Sequence, residues 1–442
     1  MKKYTILTIV LLLTVTSCRD FLDEKSSASL RIPETLEDNQ ALLDRSLVLS
    51  STPNSGEISA TDYFLKDMDF TALPAEADKR LYTWQPGLVS IPGSNDWANT
   101  YSRINIFNNV LYNLDHYQIA NSANVRGQAL ALRGMSYLNA AQVWSPAYKA
   151  NDAASVLGLP LRLDPDMNIP SVRASLEQTY QQIISDLETA ASLLPESQVS
   201  ITRPSRATAL GYLSRAYLYM GNYLKALETG LAALQIKNEL LDYNNLNTAA
   251  SYPIPANHAE LLLPTTQAAS VILISKAIVP AELYNLYAEN DLRKTAFYRL
   301  NGADILFKGN YTGGASRSSA LAVDELYLTV AESYVQLGNT TKGLEYLNAL
   351  LVKRYKAGTY VPYTTASVTQ PLELIRTERR KETPMRALRW ADLKRYNRDG
   401  AGRTLTRRVN GQIFSLPPND PRWAIAIPED IIVLTGMPQN PR

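Results

Sequence analysis

Between Ser205 and Ile236 the apolar positions fall into two short helical stripes separated by Gly221-Asn222. Leu210, Leu213, Ser214 and Tyr217 recur at steps of three and four, which places them on one face of a first helix. Ala226, Leu227, Gly230, Ala233 and Leu234 do the same on a second. Ser214, Ala226, Gly230 and Ala233 are small enough for the two backbones to approach, while Leu213 and Tyr217 fill the seam. The pattern returns downstream at a constant offset of 117 positions, as from 213 to 330. It relates Leu213 to Val330, Ser214 to Ala331, Tyr217 to Tyr334, Gly221 to Gly338, Asn222 to Asn339 and Ala226 to Gly343. A lone hairpin cannot bury its apolar face, so neighbours must stack on each copy. A mainly all-α repeat architecture follows.

Elsewhere the same periodicity predicts helices over 34–49, 97–117, 124–144, 175–194 and 283–297, with one helix or a pair over 371–396. Prolines and glycines forbid a long helix over 50–96, yet that segment carries Tyr63, Phe64, Phe70, Tyr82 and Trp84. It reads as a shaped surface loop. Residues 299–319 read as a second loop, bearing Phe307 and Tyr311. VILISKAIV, at 271–279, reads as a short strand or extended segment, and the proline-bearing tail wraps the body. The hairpin spacing resembles the tetratricopeptide repeat.

Charge changes the picture little, with 44 basic against 42 acidic residues. Nothing in that balance calls for nucleic acid as a partner. The N-terminus changes it more. Lys2-Lys3 precede an apolar run too short to span a bilayer, which stops just before Cys18, the only cysteine. This resembles a bacterial lipoprotein signal, with Cys18 as the acylated first residue of the mature chain. The organisation expected is a signal peptide over 1–17, a lipidated cysteine and tether over 18–33, and one helical repeat domain over 34–442.

Taken in order, the motifs resemble the SusD/RagB family of nutrient-uptake outer-membrane lipoproteins. They are Asp20-Phe21-Leu22-Asp23 after Cys18, then Trp97, Tyr101, Ile104 and Asn108 at helical spacing, then RASLEQTYQQIISDLETAASLLP, YLYMGNYLKAL, LYAENDLR, AESYVQLGN, ERRKE and RWADLKR. Ala426-Ile427-Pro428 and Gln439-Asn440-Pro441 close the chain as the family does. Two positions depart from it. Asp324 stands where an arginine is expected, and Arg386-Ala387 where Glu-Gly is expected. The resemblance implies a SusD-like fold of about four tetratricopeptide-like hairpins with long ligand-side loops. It further implies a surface-exposed lid over a TonB-dependent, SusC-like barrel, holding a glycan or, alternatively, a peptide.

The residues themselves favour binding over catalysis. His116 and His258 lack ligand spacing, and no hydrolase or nucleotide motif is present, so no enzyme, cofactor or metal site is expected. ERRKETPMRALRWADLKR interleaves Glu378, Glu382 and Asp392 with its arginines, which predicts a salt-bridged face rather than a polyanion site. The candidate ligand-binding residues are the loop aromatics Tyr63, Trp84 and Tyr311, with Trp97, and the hydrogen-bonding Asn95, Arg293 and Asn310. Rings of this kind stack on the apolar face of a sugar, with an affinity of order millimolar to micromolar. A lipid-anchored scaffold that binds only protein and a surface hydrolase are the competing readings.

Overall fold

The computed structural model describes residues 33–309 and 311–442; Cys18 and Asn310 lie outside them. The helices that build the body are α1 (Leu36–Leu43), α2 (Asp96–His116), α3 (Ala123–Trp144), α4 (Leu176–Leu193) and α5 (Arg206–Met220). They continue with α6 (Tyr223–Ile236), α7 (Val323–Gln336), α8 (Thr340–Leu351), α9 (Pro371–Glu382) and α10 (Arg389–Arg398). From α2 to α8 each packs on the one before, and α9 lies across α7. None is long and apolar enough to cross a membrane among the described residues.

The repeated hairpin forms as its spacing predicts. Gly221 (φ 79°) and Gly338 (φ 84°) take the left-handed turn that ends the first helix of each copy. Asn222 and Asn339 then cap the second helix, accepting from the backbone of Lys225 at 3.2 Å and Lys342 at 3.1 Å. The two copies lie side by side. A Cβ on Gly230 would meet Ser214 Oγ and Val330 Cγ2, each at 2.8 Å, so α6 reaches both α5 and α7 through one glycine. Ser214 Oγ also donates to the Ala226 carbonyl at 2.8 Å, tying the arms of the hairpin directly.

Three expectations need correction. The helix read over 283–297 is two short pieces, Ala281–Tyr284 and Arg293–Phe297. Between them the backbone bonds elsewhere: Leu292 N–H donates to Arg354 O and Lys356 N–H to Asn290 O. The loop read over 299–319 contains an antiparallel pair, β1 (Tyr298–Asn301) with β2 (Asp304–Phe307). The tail carries a second pair, β3 (Leu405–Val409) with β4 (Gln412–Leu416), and a short helix, Glu429–Thr435. Asn410 (φ 48°) and Gly411 (φ 79°) make the tight turn between β3 and β4, an Asn-Gly hairpin signal. The stretch 271–279 is extended, and Ile278 bridges Phe64 on one side and Leu306 on the other.

The arginine-rich segment is buried rather than solvated. Arg379 bonds Asp392 at 2.8 Å and Glu325 at 3.3 Å; Arg395 bonds Glu332 at 2.6 Å and Asp392 at 2.9 Å. Arg215 of α5 closes on Glu325 at 2.6 Å. A second set runs from Glu260 through Arg354 (2.5 Å) to Glu382 (2.6 Å), and on through Arg293 to Asp291 and Glu378, both at 2.7 Å. The two departures from the resembled family are partners. Arg386 Nη1 donates to Asp324, so the charges expected at these positions are exchanged and the pair is kept. Ala387 adopts φ 61°, a left-handed backbone that suits the glycine expected there.

Arg386→Glu would bury two like charges and should cost about 3–5 kcal/mol of stability. Adding Asp324→Arg should recover most of that loss in urea unfolding; a double variant no better than the two single losses combined would show that the pair is not coupled.

A second prediction concerns pH. Burial alone would raise the carboxyls of Glu325, Glu332 and Asp392, but the guanidiniums against them hold all three below their ordinary range. Their contribution is therefore complete above the ordinary values of 4.5 and 3.8 and is lost as pH falls through the depressed folded values. Glu57, pushed up to about 7 by burial, acts in the opposite sense, and only between pH 7 and 4.5. Thermal melts should therefore not fall between pH 7 and about pH 5, and should drop sharply below pH 4. A melting temperature unchanged at pH 3 would contradict this.

Candidate functional site

The aromatic loop over 50–96 is organised around one guanidinium. Arg407, on β3, donates to the carbonyls of Ile58 (2.9 Å), Ala60 and Tyr82. Its carbon lies 3.7 Å from the Tyr82 ring centre, 4.9 Å from Trp84 and 5.9 Å from Tyr63. Burial lowers its pKa, and cation–π contact with the rings stands where a carboxylate would. Trp84 sits at φ 54°, rare for a bulky residue, and is held by Nε1 donating to Ser59 O at 2.9 Å.

This overturns the exposure expected of the loop rings. Tyr63, Trp84 and Tyr311 are 1%, 4% and 2% exposed, so no ring face is free for a sugar. Each is drawn inward by something sequence spacing cannot show. For Tyr63 and Trp84 it is Arg407. For Tyr311 it is the charge network, since its hydroxyl donates to Asp324 at 2.9 Å and its ring packs on His258. Trp97 is also core, stacked on Tyr101 at 4.6 Å and edge-on to Trp144 at 5.1 Å. Arg293 is wholly buried among Asp291, Glu378 and Glu382. Asn95 caps α2, accepting from Ala98 N–H at 2.9 Å and donating to Ile91 O at 2.8 Å, which occupies both ends of its amide. Asn310 lies outside the described residues.

One cleft that remains open, of about 770 Å³, lies between the 251–252 turn, the 267–275 strap and the 299–317 region. The strap is pinned from behind: Ala268 N–H donates to Thr52 O at 2.8 Å, and Arg317 Nη2 donates to Ile272 O at 2.7 Å. Tyr252 stands 43% exposed in this cleft, and Leu273 is more exposed still. The Tyr252 ring is set by Gly309 (φ 139°), where a Cβ would meet Cδ1 of the ring at 3.2 Å and Gly314 O at 2.7 Å. Ser270 and Ser316 add hydroxyls to the walls. An exposed ring beside fixed hydrogen-bonding groups can stack on and orient a sugar. The signal in the sequence was Tyr252 itself, held between Ser251 and Pro253 in a segment that otherwise reads as mixed.

The one buried cluster with metal-ligand character among the described residues is taken. Glu260, Asp324 and Glu382 converge within 4.8 Å, but Arg354 bonds two of them and Arg386 the third. His258, lowered to about 4 by burial, stays neutral beside them.

Comparison with known proteins agrees with this geometry. A family model described as starch-binding, associating with outer membrane, matches residues 20–218, and the SusD family model matches 323–434. SusD-like protein P2 of Formosa agariphila is 28% identical over 255 residues. That match spans 54% of this chain and 47% of the relative, so the chain covers about half of that protein's length. Among solved structures, a protein of Bacteroides vulgatus ATCC 8482 superposes with a TM-score of 0.76 at 22% identity, over 93% of this chain and 99% of that one. A SusD superfamily protein of Bacteroides thetaiotaomicron VPI-5482 gives 0.72 at 20% identity, over 92% and 100%. A SusD-like carbohydrate binding protein of B. vulgatus gives 0.68 at 21%, over 91% and 97%. These structural likenesses establish the fold.

Trp84→Ala should cost about 3–5 kcal/mol of folding stability, as a large buried ring does. Tyr252→Ala should cost less than about 0.5 kcal/mol, as exposed positions do. Chemical denaturation of the two variants separates core ring from surface ring; equal losses would contradict the assignment.

Proposed function

The chain belongs to the SusD/RagB family, and on that premise we propose that it captures an oligosaccharide at the cell surface as the lid of a TonB-dependent barrel. The observation that carries this reading is the open cleft with Tyr252 standing free in it, while every other candidate ring is buried. The family is one of outer-membrane-associated binding proteins, and its carbohydrate-binding members share this fold. Weak stacking suits the role, because a few rings hold a ligand firmly enough to capture it and loosely enough to pass it on.

The helical array supplies the other half of the proposal. Stacked hairpins present a broad rigid surface, larger than a small ligand needs and suited to a protein partner. The barrel docks on the face built from α5 to α8, burying well over ~1,600 Å². Cys18 is acylated and tethers the body through residues 18–33. The protein holds its ligand without turning it over.

Mild-detergent extraction from native membranes should recover the chain together with a barrel, and Cys18→Ala should release an otherwise folded protein into the soluble fraction. Retention of that variant in the outer membrane would exclude the lipid tether. Elution of the wild-type chain alone, under conditions that keep other membrane complexes whole, would exclude the lid. Time-dependent cleavage of a glycan by the purified chain would replace binding with hydrolysis.

A further inference from the structure

The charged residues in the wall of the Tyr252 cleft are all of one sign. Arg299, Lys308 and Arg317 line it, with no aspartate or glutamate among its lining residues. In the neighbouring groove, by contrast, Lys66, Arg407 and Arg408 are accompanied by Asp67 and Glu282. The chain as a whole is nearly balanced, with 44 basic and 42 acidic residues, so the bias is local.

None of the three cations forms a direct salt bridge among the described residues, although Arg317 acts at longer range on the buried carboxylate of Glu57. Arg299 projects exposed from β1, and no ion pair to it exists among the described residues. Lys308 Nζ donates to Thr248 O at 2.6 Å and Thr295 O at 3.0 Å, which orients the ammonium with carbonyl groups and leaves its charge unpaired. Burial lowers its pKa, and the charge of Arg299 lowers it further, which places the two cations within reach of one another. Arg317 is 6% exposed and spends one nitrogen on Ile272 O. Its Nε and Nη1 have no hydrogen-bond partner among the described residues.

Arg103, also buried, likewise leaves Nε and Nη2 without a partner among the described residues. The buried guanidiniums of Arg293, Arg354 and Arg395 are each matched to carboxylates at 2.9 Å or less. Buried donors left unsatisfied are costly, and a preorganised guanidinium is the side chain that best fits a carboxylate or sulfate.

We infer that the cleft selects an acidic oligosaccharide, one bearing carboxylate or sulfate groups, with Tyr252 stacking a sugar ring and Arg299, Lys308 and Arg317 forming its anion-binding wall. The inference rests on the glycan-capture reading above and names the ligand class of that same site.

The test is calorimetric titration of the full chain in detergent with four probes: maltohexaose, a galacturonate hexamer, a sulfated dextran oligomer and a polyglutamate peptide. At least one acidic saccharide should bind roughly tenfold or more tighter than maltohexaose. That preference should shrink between about 50 and about 500 mM salt. Arg299→Gln should remove roughly tenfold of it and Tyr252→Ala should abolish binding, both with unchanged melting temperature. Maltohexaose binding as tightly as the acidic sugars and indifferent to Arg299→Gln would overturn the acidic selection and leave the carbohydrate reading standing. Polyglutamate binding ahead of every saccharide would overturn both. Acidic-sugar binding indifferent to both variants, or no binding of either acidic saccharide at millimolar concentration, would also overturn the inference.

Discussion

A guanidinium stripped of water costs several kcal/mol unless carboxylates surround it, and the centre of this protein holds one after another in that state. Arg379, Arg395, Arg354 and Arg293 are each essentially inaccessible, and each joins segments far apart in the chain. Arg354 reaches Glu260 and Glu382, while Arg395 reaches Glu332 across α7. Hydrophobic packing stacks the hairpins, but it is non-directional and leaves a helix free to slide by a turn. Paired charges in low dielectric remove that freedom, because a shifted register strands an ion. The long loops between the helices inherit their positions from this lattice through Tyr311 and the 354–356 segment, which exchanges backbone bonds with 290–292.

The loop side obeys a related constraint with different partners. Arg407 lies among three carbonyls and three rings, and it fixes the segment from Ile58 to Trp84 without a helix or sheet to define it. The result is an irregular region whose rings serve as its core. Ligand chemistry is left to what cannot be drawn inward. Tyr252 is held out by a glycine beneath it, beside cations that form no direct salt bridge among the described residues.

Helical spacing made most of the scaffold legible. The offset of 117 positions between the hairpins was readable because small residues are required where two backbones touch, as at Gly230 against Ser214 and Val330. The interleaved charges over 371–396 predicted pairing, though not its depth, since burial depends on segments such as Glu325 and Glu332 that arrive from elsewhere. The site was much less legible. Proline and glycine beside Trp84 and Tyr311 imply a loop, and loops are on average exposed. Whether a given loop ring turns in or out depends on a distant cation, Arg407 for one and Arg386 for the other, and no local pattern encodes that. The break in the helix over 283–297 failed for the same reason: its backbone partners lie some sixty residues downstream.

The exchanged pair of Asp324 and Arg386 also bears on how such a protein can have changed over time. From the arrangement expected in the family, either reversal made first would set like charges against each other in a site with no access to water. The passage between the two arrangements must therefore have gone through a neutral side chain at one position, or through a neighbour that carried the surplus charge meanwhile. Tyr311 suits the neutral route, because its hydroxyl touches both Asp324 and Glu260 and can hydrogen-bond an uncharged side chain in either place. Two departures from the expected motif are thus a single ion pair with its signs reversed.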